Sequence, residues 1–195
     1  MTITNLSTKS HLNRLLVAGL LLFSLWGQAS AAENGIHFNE FSIRIQKSKQ
    51  LVTNLKLDYE LSDYLREGLL NGLTLKNEIL FTLEWHNTWW WNTQKSLATL
   101  KTELKYHPLS KQYQVVRLDT KENWSFSTLP AAVEQMGTLT DYRLPTLPAD
   151  AWGDNASIFV EATLTQQSLE LPLKLKSLFS ERYSLQSDGV LWPIP

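Results

Sequence analysis

The chain contains no cysteine, which excludes disulfides, thiolate zinc sites, iron–sulfur clusters and thiol nucleophiles together. Glycine is scarce, 8 in 195 residues, and no phosphate-cradling glycine loop, Gly-x-Ser-x-Gly elbow or Ser-x-x-Lys pair occurs. An excess of one charge is missing too: 18 Lys+Arg stand against 19 Asp+Glu, too balanced for a protein that binds nucleic acid by neutralising phosphates. Long apolar runs are lacking, since the longest, Leu15 to Trp26, falls well short of the roughly 20 residues that span a bilayer.

That short run has a different meaning. Lys9, His11 and Arg14 precede it and Ala29-Ser30-Ala31 follow it, the order of a cleaved secretory signal peptide. Residues 1–31 are therefore expected to be a signal peptide and residues 32–195 a single exported, periplasmic domain, with no stable membrane insertion after cleavage. No cysteine follows to accept a lipid. Removing Lys9 and Arg14 leaves 16 basic against 19 acidic residues, a charge near −3. Without disulfides such a domain holds together by burial, and Trp85, Trp89, Trp90, Trp91, Trp124, Trp152 and Trp192 supply much apolar area.

Alternation dominates the rest. Phe41, Ile43 and Ile45, then Leu51, Thr53, Leu55, Leu57 and Tyr59, mark two half-buried strands joined through Lys47-Ser48-Lys49-Gln50 as a hairpin. Ser62 can cap a helix from Asp63 to Asn71 that Gly72 ends. The pattern from Leu73 to His86 gives a long strand, interrupted by Asn77 and Leu80, and Ala98 to Tyr106 gives its returning neighbour. After a turn at His107 to Lys111, Tyr113 to Leu118 reads as a strand, and Asn123 to Phe126 leads into a loop. Ser127 or Thr128 can cap a helix through Met136 stopped by Gly137, and Leu144 to Asn155 reads as loop. Ser157 to Gln166 forms a strand, Pro172 demotes Leu169 to Lys176 to an edge or a connection, and Tyr183 to Pro195 adds a last strand. The expected fold is mainly β: one antiparallel, immunoglobulin-like β-sandwich of about seven or eight strands with two short helices.

One local feature stands out: Trp85-His86-Asn87-Thr88-Trp89-Trp90-Trp91 puts four indoles within seven residues at a strand end. Such indoles can plug one end of the sandwich, anchor a partner protein, stack on sugar rings or sit at headgroup depth in a membrane. Trp85, Trp89, Trp90 and Trp91 are the candidate binding residues. Glu84 and His86 share a parity, with Glu103 and Lys105 on the neighbouring strand, a pattern that reads as solvated cross-strand charge. Of the mature histidines His37, His86 and His107, none has zinc-helix spacing, and no catalytic residue, metal or cofactor is expected.

The chain also resembles a family of small exported bacterial proteins, mostly proteobacterial: domain-of-unknown-function family forty-three-ninety. The resemblance covers nearly the whole mature chain. It rests on Leu55 to Ser62, on Gly72-Leu73, on the strand entering Trp89 to Trp91, and on Leu104-x-Tyr106-x-x-Leu109-x-x-x-Tyr113. Ser127-Thr128-Leu129 and Leu171-Pro172 complete the set, while Tyr183 stands where family members often place tryptophan. It implies a periplasmic location and brings no activity, cofactor or catalytic residue. Genes of similar proteins often neighbour those of a membrane sensor kinase and its response regulator. The expectation is a non-enzymatic interaction domain contacting an envelope protein, such as the periplasmic region of a sensor kinase. A glycan-binding module is the alternative, and a hydrolase using Glu84 or His86 is a third reading.

Overall fold

A computed structural model describes residues 35–86, 93–152, 155–167 and 184–195. The expected signal segment, the candidates Trp89, Trp90 and Trp91, and the Leu169 to Lys176 pattern lie outside the described residues.

Two antiparallel sheets carry the chain. The first has three strands in the order β1 (Gly35–Ile45), β2 (Leu51–Glu60), β7 (Thr138–Arg143). The second runs β10 (Val190–Pro193), β8 (Ala156–Gln167), β3 (Thr74–Trp85), β4 (Thr93–His107), β5 (Gln112–Arg117), β6 (Asn123–Phe126). β9 (Ser184–Gln186) pairs with β8 as well, along the edge that β10 occupies further on. Ser187 bridges these two pieces by exchanging hydrogen bonds with Ala162: its N–H donates to the Ala162 carbonyl and its hydroxyl accepts from the Ala162 N–H.

Periodicity explains which faces meet. On β3, Leu75, Ile79, Phe81 and Leu83 are buried while Lys76, Glu78 and Thr82 are partly open. β2 buries Leu51, Thr53, Leu55 and Leu57 in the same rhythm. The inner faces share one core: the Phe81 ring stacks on Tyr142 of β7 at 6.4 Å, and the Tyr59 hydroxyl donates to Asn77 Oδ1 at 2.8 Å. These cross-sheet pairs also fix the relative direction. The β1–β2 hairpin tip lies at the Trp85 end of β3, and Glu60 lies at the Leu75 end.

Two helices complete the fold. In α1 (Asp63–Leu70), the Ser62 hydroxyl accepts from the Leu65 N–H, and Leu65, Gly68 and Leu69 are buried against the Leu75 end of β3 and β4. In α2 (Leu129–Gly137), Pro130 stands in the first turn, and the helix covers β4, β5 and β6 beside the three-stranded sheet. Gly137 is required there, because a Cβ would lie 2.6 Å from the Leu57 carbonyl oxygen.

Mainly antiparallel β structure with two short helices is as expected from the sequence. The strand count is higher, however, at ten among the described residues. β7 lies between α2 and the expected loop from Leu144, where the sequence reading assigns no element, and Asn123 to Phe126, read as leading into a loop, pairs with β5. Ile45 shares the parity of the buried Ile43, yet lies 42% exposed beside the hairpin tip.

Candidate functional site

The end of the molecule where β3 stops holds Trp85, the member of the predicted cluster that lies among the described residues. Trp85 sits opposite Thr93 on β4 and Ala156 on β8, half-buried and packed against the core. Its indole N–H is buried with no hydrogen-bond partner among the described residues. A buried donor left unpaired costs about 1–3 kcal/mol, so this side chain is held in place by its ring packing rather than by its polar edge. Two further indoles reach the same end through other elements. Trp192 stands opposite Ile158 on β8, and Trp152 follows a helical turn at Ala149–Ala151. Both are half-buried and packed on the core.

Lys49, at the hairpin tip, lies over the Trp152 ring at 4.8 Å from its centroid, a cation–π contact. The tip is unusual in its backbone, with Ser48 at φ 75° and Lys49 at φ 60°, both in the left-handed region that favours glycine. Lys47 and Lys49 are both exposed there. Lys95 on β4 is exposed opposite Leu83, and Arg143 on β7 is exposed opposite Val52. Among the described residues none of these four cations is paired with a carboxylate, whereas the neighbouring Arg44 is bound to Asp141.

Glu84 and His86 depart from their expected setting. Glu84 is 9% exposed rather than solvated, opposite Ser157, and accepts from Gln94 Nε2 at 2.7 Å. His86 Nε2 lies 2.8 Å from Ser157 Oγ, and its backbone N–H donates to the Asn155 carbonyl. Glu103 is on the neighbouring strand but opposite Lys76, eight positions from Glu84 or roughly 27 Å along the strand. It pairs with Lys105 instead, at 2.9 Å. The pattern of alternation gives faces and leaves register open, so Glu103 and Lys105 could not be excluded from the Glu84 neighbourhood by sequence.

The Ser157–His86 pair went unread in the sequence because its members are 71 positions apart and only β3–β8 pairing joins them. It has the hydrogen bond of a nucleophile and its base, yet Ser157 is 1% exposed beneath that contact. Its hydroxyl therefore meets protein rather than an incoming substrate. The pair fastens the start of β8 to the end of β3, a positioning role beside Trp85. The other mature histidines stand apart: His37 is exposed on β1, and His107 is exposed with Nε2 2.8 Å from Gln114 Oε1.

The fold and this end define a mainly β domain whose chemistry-bearing residues gather where strands stop. The family described as Domain of unknown function (DUF4390) matches residues 33–193, and the chain belongs to it. No curated protein and no solved structure matches the chain.

Proposed function

We propose that this protein is a non-enzymatic interaction domain of the periplasm, exported by a cleaved segment at residues 1–31, that holds an envelope protein through its tryptophan-rich end. The observation that carries the reading is Trp85: half-buried and packed on the core, at the strand end from which Trp89, Trp90 and Trp91 follow in sequence. A large ring seated in a core and still half open is the kind of group that dominates binding once a partner covers it. The sealed hydroxyl of Ser157 supports the non-enzymatic side of the reading. Two stacked antiparallel sheets presenting connections at one end are compatible with the immunoglobulin-like arrangement that forms part of this proposal. The periplasmic region of a sensor kinase is the partner the reading favours.

Crosslinking in living cells from a photoreactive residue at Trp90 tests it. Capture of one envelope protein, lost in a folded Trp90→Ala chain, supports the proposal. A folded probe that captures nothing overturns it. Saturable shifts of tryptophan emission with peptidoglycan fragments, without protein capture, would favour the glycan-binding alternative.

A further inference from the structure

The tryptophan-rich end differs electrostatically from the chain as a whole. The sequence after residue 31 carries a net charge near −3, yet Lys47, Lys49, Lys95 and Arg143 are exposed at this end and free of carboxylates among the described residues. The acids described nearby are few: Glu84 is buried under Gln94, Asp141 is taken by Arg44, and Asp150 alone is exposed and unpaired. No stretch of sequence announces this concentration. Lys47 and Lys49 come from the three-stranded sheet's hairpin, Lys95 from the other sheet, and Arg143 from the end of β7.

Resting on the interaction reading above, we infer that the partner presents an acidic segment to this end, its carboxylates meeting the rim of Lys47, Lys49, Lys95 and Arg143 while its apolar part covers Trp85, Trp152 and Trp192. Three observations fit that partner. Lys49 lies over the half-buried Trp152 and Lys95 stands two positions from Thr93, the residue opposite Trp85, the arrangement of an apolar centre within a polar rim. The Trp85 ring is half-buried and packed on the core, so its open part is apolar surface that the apolar part of such a segment can cover. Lys49 is already fixed, by its contact with Trp152 and by a left-handed backbone that a flexible surface lysine does not require. Fixing it in advance lowers the ordering cost of binding. A membrane surface fits less well. Trp85, Trp152 and Trp192 are half-buried and packed on the core, whereas headgroup-depth anchors project their rings.

The test uses the full chain in its own cells, with a photoreactive residue at the exposed Thr93. It compares the parent with two triple variants, Lys47→Glu/Lys49→Glu/Lys95→Glu and the same three positions changed to Arg. The inference predicts a captured peptide rich in Asp and Glu, capture reduced at least tenfold in the Glu variant, and capture retained in the Arg variant. Purified chains are melted to confirm folding; if the Glu variant is destabilised, the Gln triple is read in the same way. Capture that is unchanged by charge reversal overturns the inference and leaves the interaction reading standing. Absence of any capture by the folded parent overturns both. Sedimentation of the parent with phosphatidylglycerol vesicles, abolished by the Glu variant and unaccompanied by protein capture, also overturns it and assigns the cations to a lipid surface.

Discussion

At the scale of single residues, backbone and core positions divide between those that serve the fold and those that serve the surface. Gly189 belongs to the first group. It has φ +77°, and a Cβ there would fall 2.3 Å from the Phe159 ring, so Gly189→Ala combines strain with overlap. We expect a loss of about 2–4 kcal/mol, read from urea unfolding midpoints. Ser48 and Lys49 are the opposite case, left-handed without being glycine. Lys49→Gly relieves about 0.5–1 kcal/mol of backbone strain but gives up a cation–π contact of similar size, so stability should change by less than about 1 kcal/mol while capture at the tryptophan-rich end weakens. Unchanged capture by a folded Lys49→Gly chain would show that Lys49 has no role in binding.

Tyr59 and Asn77 make a pH prediction. Asn77 is wholly buried, and Tyr59 donates to its Oδ1 while its Nδ2 has no partner among the described residues. Burial pushes the Tyr59 hydroxyl well above its ordinary pKa of 10.0, against a smaller opposing effect of the Asn77 hydrogen bond. The folded chain therefore keeps a proton that the unfolded chain releases above pH 10. Stability is fully present below that pH and falls as pH rises through the region above it, by up to about 1.4 kcal/mol per unit for this group. Tyr59→Phe should flatten that alkaline fall in pH-dependent unfolding, and should cost about 2 kcal/mol at neutral pH by leaving the Asn77 amide wholly unpaired. An unchanged alkaline slope would contradict the assignment.

At the scale of elements, alternation reveals strands until a bulge breaks it. β3 was legible because Leu75, Ile79, Phe81 and Leu83 keep one parity over its length, and even Asn77 obeys that parity by being buried. β7 was illegible because its inward residues, Leu139 and Tyr142, are three apart. Asp141 at φ 51° absorbs the extra residue, and its N–H is held by Asn54 Oδ1 at 2.7 Å. The first half of β1 was hidden in the same way, by the shift between Phe38 and Glu40. Helix signals were more direct, since capping is local chemistry. Ser62 caps α1 as its sequence position indicates, and Ser62→Ala should lower stability by about 1 kcal/mol in thermal unfolding. Thr128 begins α2 without a side-chain cap bond, so Thr128→Ala should change stability by much less.

At the scale of the whole molecule, the candidate site was legible only in part. The crowding of indoles around Trp85 is visible in the sequence, but Trp152, Trp192 and Lys49 reach that end through pairings and cross-sheet contacts that alternation does not encode. The charge of the end was invisible for the same reason, as its four cations come from three separate places in the chain. The fold turns a nearly neutral composition into a domain with one cationic, tryptophan-bearing end and a turn carrying the fully exposed Leu109 at the other. Binding through the first end is the central claim. The most direct test places a photoreactive residue at Thr93 in one strain and at Leu109 in another, and compares what each captures in living cells. The account predicts one envelope protein crosslinked from Thr93 and not from Leu109. Capture from Leu109 alone, or from neither position in folded protein, would contradict it.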